Sequence, residues 1–371
     1  MTTIFDADGH IMEPDAMFAN LEPEFYPRRP VRVGLPPDTF RGENDACWIF
    51  EGRALPSLTG KGPVTFFLPD ATTSRKSLAP VGAQTLGDLD SRFKDMDRFG
   101  IDKQLVFPTL FLVNFVDDPR LEAAFFRAYN DYVGAACARS GGRLKWAALV
   151  PFRDPGVAQE ELLRAKNLGA SAVLTLGMVW DKNLNDPSFL PVFETIADLD
   201  LALCVHFGWG SPALTNVFEG SNTSFCSATT PVLWAFYWIM VTGLLAKVPN
   251  LRVGFLESGS SWTTYLIDQI RRRLDLKTLL RPGQVAPRSA SQLDPMEYFE
   301  QGRVFVACEH EEDLPYLVSR LGEDCLMAAS DYPHADTSAD EGFVDMVRSR
   351  DGLTASAKEK ILGGNAERFF H

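Results

Sequence analysis

Phe5-Asp6-Ala7-Asp8-Gly9-His10-Ile11-Met12-Glu13-Pro14 opens the chain. The segment follows directly on the apolar Ile4-Phe5 pair and reads as a first β-strand carrying polar residues at its C-terminal end. Asp8 and His10 stand two residues apart, so an extended backbone turns both side chains to one side. An aspartate and a histidine delivered together at a strand end are metal-ligand chemistry, and Gly9 between them lets the backbone approach whatever they hold. Taken alone, the same residues also fit a surface turn capped by Asp. Four further strand ends decide between the two.

Downstream, short apolar runs alternate with helical patterns. The runs Lys103–Phe107, Leu144–Val150, Ala172–Leu176, Ala202–Val205, Val253–Leu256, Val304–Cys308 and Leu326–Ala329 read as strands. Leu86–Phe99, Asp118–Arg139, Pro155–Leu168, Pro187–Leu199, Thr230–Leu245 and Ser260–Leu274 read as helices, and another falls near Ser356–Leu362. Eight strands alternating with helices predict an α/β fold, a (β/α)8 TIM barrel whose active site lies at the C-terminal strand ends. Residues 1–371 are expected to form a single domain. Residues 15–85 are irregular and rich in Pro, Gly and Arg, with β-like pieces such as Cys47-Trp48-Ile49-Phe50. They read as a long insertion after strand 1, a lid packed over the barrel mouth. Thr230–Leu245, with Trp234, Phe236, Tyr237 and Trp238, is apolar all round, which suits burial or a homodimer interface.

The chain of 371 residues is 46% hydrophobic and 23% charged, ordinary for a soluble enzyme. It has no run of 18 apolar residues, so no membrane span is expected. The N-terminus enters a strand without a basic and apolar leader, so no export signal is expected either. Cys47, Cys137, Cys204, Cys226, Cys308 and Cys325 are scattered and read as reduced thiols of a cytoplasmic protein. A net charge of −13 argues against nucleic acid as a partner and leaves a small-molecule substrate.

Four of the five histidines fall at strand ends: His10, His206, His310 and His334. Carboxylates join them at the same level, with Asp8 after strand 1, Glu257 after strand 6, Glu309 after strand 7 and Asp331 after strand 8. Such a rim repels itself without cations, because buried like charges are costly. Each residue singly has a structural explanation. A strand-end His can be hydrogen-bonded in the core, Glu257 can cap the next helix, and Asp331-Tyr332-Pro333 can be a turn. Metal explains them together.

The set resembles the amidohydrolase superfamily. Asp8-x-His10 with Glu13-Pro14, then Val205-His206-Phe207-Gly208, then Ser330-Asp331-Tyr332-Pro333-His334 look like its motifs. Ile361-Leu362-Gly363-Gly364-Asn365-Ala366 is similar to the C-terminal signature of the branch that contains the aminocarboxymuconate-semialdehyde decarboxylase relatives. By matching position, the resemblance makes Asp8, His10, His206 and Asp331 metal ligands. The chain departs from ordinary members where Asp8 replaces the first His of a His-x-His pair, and where Leu256-Glu257-Ser258-Gly259 replaces a His after strand 6. Leu176-Gly177-Met178 offers no bridging Lys or Glu after strand 4, while strand 7 delivers Cys308-Glu309-His310.

The resulting carboxylate-rich set suits iron or manganese better than zinc. In this it resembles a divergent branch of the fold, the non-haem diiron monooxygenases of diterpenoid biosynthesis, a secondary metabolism. That resemblance implies an oxidoreductase that hydroxylates a C–H bond of a hydrophobic, CoA-thioester-linked substrate. It would use two Fe ions, O2 as co-substrate, an external electron donor and a reductase. Glu257 would bridge the metals, with Asp8, His10, His206, Glu309, His310 and Asp331 completing their shells. Glu257, Asp331 and His334 would serve catalysis, His334 by orienting a ligand or gating oxygen. Glu309 and His310 can both bind only if the strand has ended before them. Trp48, Trp209 and Phe207 are candidate substrate walls. Arg271-Arg272-Arg273 and Arg28-Arg29 are weak candidate partners for acyl-CoA phosphates, and a solvated helix face with intrahelical ion pairs accounts better for the first run. The alternative is a mononuclear Zn- or Mn-dependent hydrolase or non-oxidative decarboxylase of the parent family.

Overall fold

The computed structural model describes residues 3–34, 46–55, 79–218, 224–274, 294–309, 311–334 and 339–371. Eight parallel strands follow one another around a single sheet: β1 (Phe5–Ile11), β2 (Lys103–Pro108), β3 (Leu144–Leu149), β4 (Ala172–Leu176), β5 (Ala202–His206), β6 (Arg252–Leu256), β7 (Val304–Cys308) and β8 (Leu326–Ala328). Parallel strands covered on both faces are written as continuous apolar runs, and β1, β4, β5 and β7 are buried throughout. β8 is short, so the ring closes through residues beyond it. His10 N–H donates to Tyr332 O at 2.7 Å and Asp331 N–H to Asp8 O at 2.9 Å. This seam lies at the C-terminal rim and brings Asp8 and Asp331 side by side. The fold is the expected (β/α)8 barrel.

Helices α1 (Leu89–Phe99), α2 (Pro119–Ala138), α3 (Pro155–Asn167), α4 (Leu190–Asp198), α5 (Thr230–Val241), α6 (Trp262–Leu274) and α7 (Leu314–Leu321) lie between the strands. Asp88, Asp118, Asp154 and Asp313 start α1, α2, α3 and α7 by accepting a backbone N–H of the first turn, which satisfies a donor the helix cannot use itself. Proline directly after Asp118 and Asp154 costs nothing there, because its missing N–H is one of those orphans. The segment read as one helix over Thr230–Leu245 is broken: α5 stops at Val241, and a short helix, Leu244–Lys247, restarts at Gly243 (φ +66°). α5 buries Phe236 against Phe255, Trp262 and Phe299, while Trp234 remains 38% exposed. No helix of the described residues is long and apolar enough to cross a membrane. All six cysteines are free thiols.

The excursion after β1 contains a three-stranded antiparallel sheet, Val31–Gly34, Ala46–Phe50 and Arg53–Leu55. Residues 35–45 and 56–78 of it lie outside the described residues. Phe50 meets Phe115 and Phe125, and Trp48 packs on Phe18 rather than on the metal-type residues. Arg28 pairs with Glu51 and Asp118, Arg53 with Asp117, and Arg29 lies over the Tyr26 ring. The opposite end of the barrel is closed by the C-terminal helix Asn365–Phe369. Phe369 stacks on Phe305 at the start of β7, and Phe370 reaches Phe5 at the start of β1. Asn365 donates to the carbonyls of Glu323 and Leu326, so this residue of the C-terminal signature holds β8 in place.

Candidate metal centre

The ladder between β1 and β2 pairs Asp6 with Gln104 but Gly9 with Val106, so β1 carries one extra residue there. Such a bulge re-aims side chains, and it separates two jobs. Asp8 and His10 face the barrel axis. Asp6 faces away, where it accepts from Asp8 N–H, from Ser330 N–H and Oγ, and from Gln104 Nε2. The Gln104 amide oxygen in turn accepts from the buried Arg92 guanidinium, which also donates to His10 O. Gly9 is required by this outer network. A Cβ there would lie 2.4 Å from the Gln104 side chain, so the close neighbour is Gln104 and not the site.

On the inner side, Asp8, His10, His206 and Glu257 each present one ligand-type atom within 4.8 Å of the others. His10 Nε2 and His206 Nε2 each lie 3.2 Å from Asp8 Oδ1. Glu257 Oε2 lies 3.6 Å from His206 Nδ1 and 4.0 Å from His10 Nε2. A second group, His10, Asp331 and His334, shares His10, with Asp331 Oδ1 3.3 Å from His10 Nε2 and 2.8 Å from His334 Nδ1. The His10 and His334 rings stack at 4.2 Å, and His334 Nε2 is 2.8 Å from Thr109 Oγ1. Glu257 (φ +51°) and Asp331 (φ +54°) both adopt left-handed backbone, a conformation costing on the order of 1–3 kcal/mol for a non-glycine residue.

The imidazole tautomers decide what this cluster can hold. His10 Nδ1 is 2.8 Å from Pro108 O, and His206 Nδ1 is 2.8 Å from Phe207 O. A carbonyl only accepts, so each Nδ1 carries a proton and each Nε2 is the ring atom turned to the cluster. Burial first, and His334 next, push the His10 imidazole down to about 3, keeping it neutral. His10 Nε2 has no hydrogen-bond partner among the described residues. The lone pair of the neutral His10, aimed at the Asp8 carboxylate 3.2 Å away, is repelled unless a cation lies between them, and backbone-held histidines are how proteins present nitrogen to a metal. The residues fit a divalent cation.

Glu13 orders the neighbouring loop. It accepts the N–H groups of Thr109 and Leu110 at 3.0 and 2.9 Å, and so places the Thr109 hydroxyl under His334. Burial pushes its carboxyl from the ordinary 4.5 up to about 7, against those two N–H bonds. The folded state therefore keeps a proton that the unfolded chain has already released. Stability is highest below pH 4.5 for this group and falls as pH rises through about 7. Glu13→Gln is expected to flatten that decline, which amounts to on the order of 3 kcal/mol in the wild type. Urea unfolding across this pH range measures it, and an unchanged slope in Glu13→Gln would refute the assignment.

Of the other sequence candidates, Glu309 stands apart. The chain turns after β7, leaving Glu309 exposed and in neither ligand group, with its N–H donated to Glu312. His310 lies outside the described residues. Phe207 and Trp209 meet edge to face beyond β5. After β4, Gly177 leaves no room for a bridging side chain, because a Cβ there would lie 2.3 Å from the Pro231 carbonyl carbon at the start of α5. Four of the five arginines considered for phosphates have other partners: Arg28 and Arg29 as above, Arg271 with Asp294, and Arg273 with Gln269.

The Amidohydrolase family model matches residues 6–371. The chain is 24% identical over 294 residues to the 2-amino-3-carboxymuconate-6-semialdehyde decarboxylase of Dictyostelium discoideum, covering 76% of each chain. An amidohydrolase from Mycobacterium avium subsp. paratuberculosis matches the fold with a TM-score of 0.75 at 20% identity, over 100% of this chain and 98% of that one. A dihydroxybenzoic acid decarboxylase from Polaromonas sp., with bound manganese and the inhibitor 2-nitroresorcinol, matches with a TM-score of 0.64 at 16% identity, over 100% and 97%. These findings overturn the monooxygenase reading. The Dictyostelium and Polaromonas relatives are decarboxylases, and with the oxygenase fall the oxidoreductase class, the pair of irons, O2, the electron donor, the reductase, acyl-CoA and secondary metabolism. A carboxylate-rich rim limits which metals suit the site and does not by itself name the reaction. The relatives agree instead with the alternative of a metal-dependent, non-oxidative decarboxylase. On the match over residues 6–371, the chain belongs to the amidohydrolase family.

Proposed function

We propose that the protein is a metal-dependent, non-oxidative decarboxylase of an aromatic or conjugated carboxylic acid, with one divalent cation held by Asp8, His10, His206 and Asp331 and with Glu257 as a further ligand. The observation that carries the reading is the pair of imidazoles, each held through Nδ1 by a backbone carbonyl, whose Nε2 atoms converge on the Asp8 carboxylate at 3.2 Å, deep at the barrel mouth. The carboxylate content favours a hard cation such as manganese, the metal bound in the Polaromonas relative. When bound, such a cation supplies a Lewis acid for the substrate's carboxylate and adjoining oxygen.

The chain's own residues must then manage one proton. Breaking the bond to CO2 leaves its electron pair on the ring carbon, which takes a proton as CO2 departs. Asp331 is the group placed to carry it, with His334 2.8 Å behind and Thr109 fixing the far nitrogen of that ring. Phe107 lies against both His10 and His206 and keeps water from the imidazole faces. Stripping the protein with a chelator is expected to abolish CO2 release from hydroxybenzoates, and Mn2+ to restore it at about one ion per chain. Full activity in the stripped protein would sink the reading.

A further inference from the structure

Glu257 leaves β6 in left-handed backbone and is followed two residues later by Gly259, also left-handed at φ +64°. A turn of that kind persists only where its surroundings over-determine it. The holder is Glu312, from the turn after β7. Its carboxylate accepts Ser260 N–H at 2.9 and 3.0 Å, Ser261 N–H at 2.6 Å, the Ser260 hydroxyl at 2.7 Å, the Ser261 hydroxyl at 2.6 Å and Glu309 N–H at 3.0 Å. Ser260 and Ser261 directly precede α6, so a carboxylate from another strand's loop sits where that helix has free N–H groups and partial positive charge. Gly259 admits it, since a Cβ there would lie 3.2 Å from Glu312 Oε1. Trp262 Nε1–H donates to Gly259 O at 2.8 Å and closes the turn from the helix side. Glu312 belongs to neither ligand group, so it acts on the site only through this loop.

We infer that Glu312 is a positioning residue: by fastening Ser260 and Ser261 it sets the left-handed turn that presents the Glu257 carboxylate to the cation. The inference rests on the metal centre proposed above, with Glu257 among its ligands. It gives a physical reason why β6 and β7 are coupled at the rim although Glu309 itself belongs to neither ligand group.

The test is calorimetric titration of the stripped full-length chain with Mn2+ alone, in wild type, Glu312→Ala, Glu257→Gln and the double variant. Loss of a partner that orients a ligand typically weakens metal binding by about 10–100-fold, and Glu312→Ala is expected in that range. Glu257→Gln should weaken binding comparably. The double variant should bind no worse than Glu257→Gln alone, because Glu312 works through Glu257. Unchanged Mn2+ affinity in Glu312→Ala overturns the inference, as does a double variant in which the two losses multiply. A wild type that takes up no Mn2+ overturns the metal centre itself and is a different outcome. Ser260→Ala with Ser261→Ala removes only the hydroxyl donors and keeps the test open if Glu312→Ala does not fold. That variant should weaken Mn2+ several-fold in the wild-type background and not at all beside Glu257→Gln. Equal losses in both backgrounds overturn the inference.

Discussion

Asp331→Asn is expected to slow CO2 release by about 10²–10⁴-fold while leaving the fold intact, the range a positioned proton-transfer group contributes. Asparagine has the same shape as aspartate and tolerates left-handed backbone, so the φ of +54° at this position is not lost. Its amide cannot hand a proton to carbon and take another from His334 as a carboxyl does. The change also removes a negative charge 3.3 Å from His10 Nε2, which weakens the cation's hold. Running the assay at saturating Mn2+ separates the two effects. A rate within about threefold of wild type under those conditions would remove Asp331 from the chemistry.

Arg92→Met carries the largest expected stability loss, about 3–5 kcal/mol, because removing one member of a buried, hydrogen-bonded charge network leaves the others uncompensated. Arg92 is fully buried, donates twice to Gln104 and once each to His10 O and Ala83 O, and lies over the Tyr332 ring. Gln104 relays this to Asp6, which grips Ser330 just past β8 across the seam. Methionine fills much of the volume but satisfies none of these acceptors. Urea unfolding measures the loss, and a change below about 1 kcal/mol would show that the network is dispensable. Because the same network holds the β1–β8 seam, Mn2+ affinity should fall along with stability.

Much of this was legible from local pattern. Asp8 and His10 lie in the C-terminal half of β1, His206 ends β5, and Glu257 and Asp331 stand just past β6 and β8, so their convergence at one rim follows from topology. Glu309 follows a strand too, but it lies exposed past the end of β7 and in neither ligand group, which periodicity does not encode. The outer network was invisible for another reason. Arg92, Gln104, Asp6 and Ser330 meet across separations as large as 324 residues, and each looks like ordinary surface polarity in its own segment. Glu13 and Glu312 share that character, since most of their partners are backbone N–H groups and any sequence supplies those. The insertion after β1 read as irregular although it holds an antiparallel sheet, because its strands are only three to five residues long. The oxygenase reading erred at the level of chemistry: a carboxylate-rich rim limits which metals suit the site without naming the reaction.

The most direct test of the account is anaerobic incubation of the Mn2+-loaded protein with a panel of hydroxybenzoates and conjugated amino-dicarboxylates in D2O, with CO2 and product followed together. The expected result is one CO2 per product, and one deuterium on the carbon that lost the carboxyl group, at a rate indifferent to oxygen. Product formation that stops when O2 is withdrawn would contradict the account, as would a metal-loaded protein that releases no CO2 from any member of the panel.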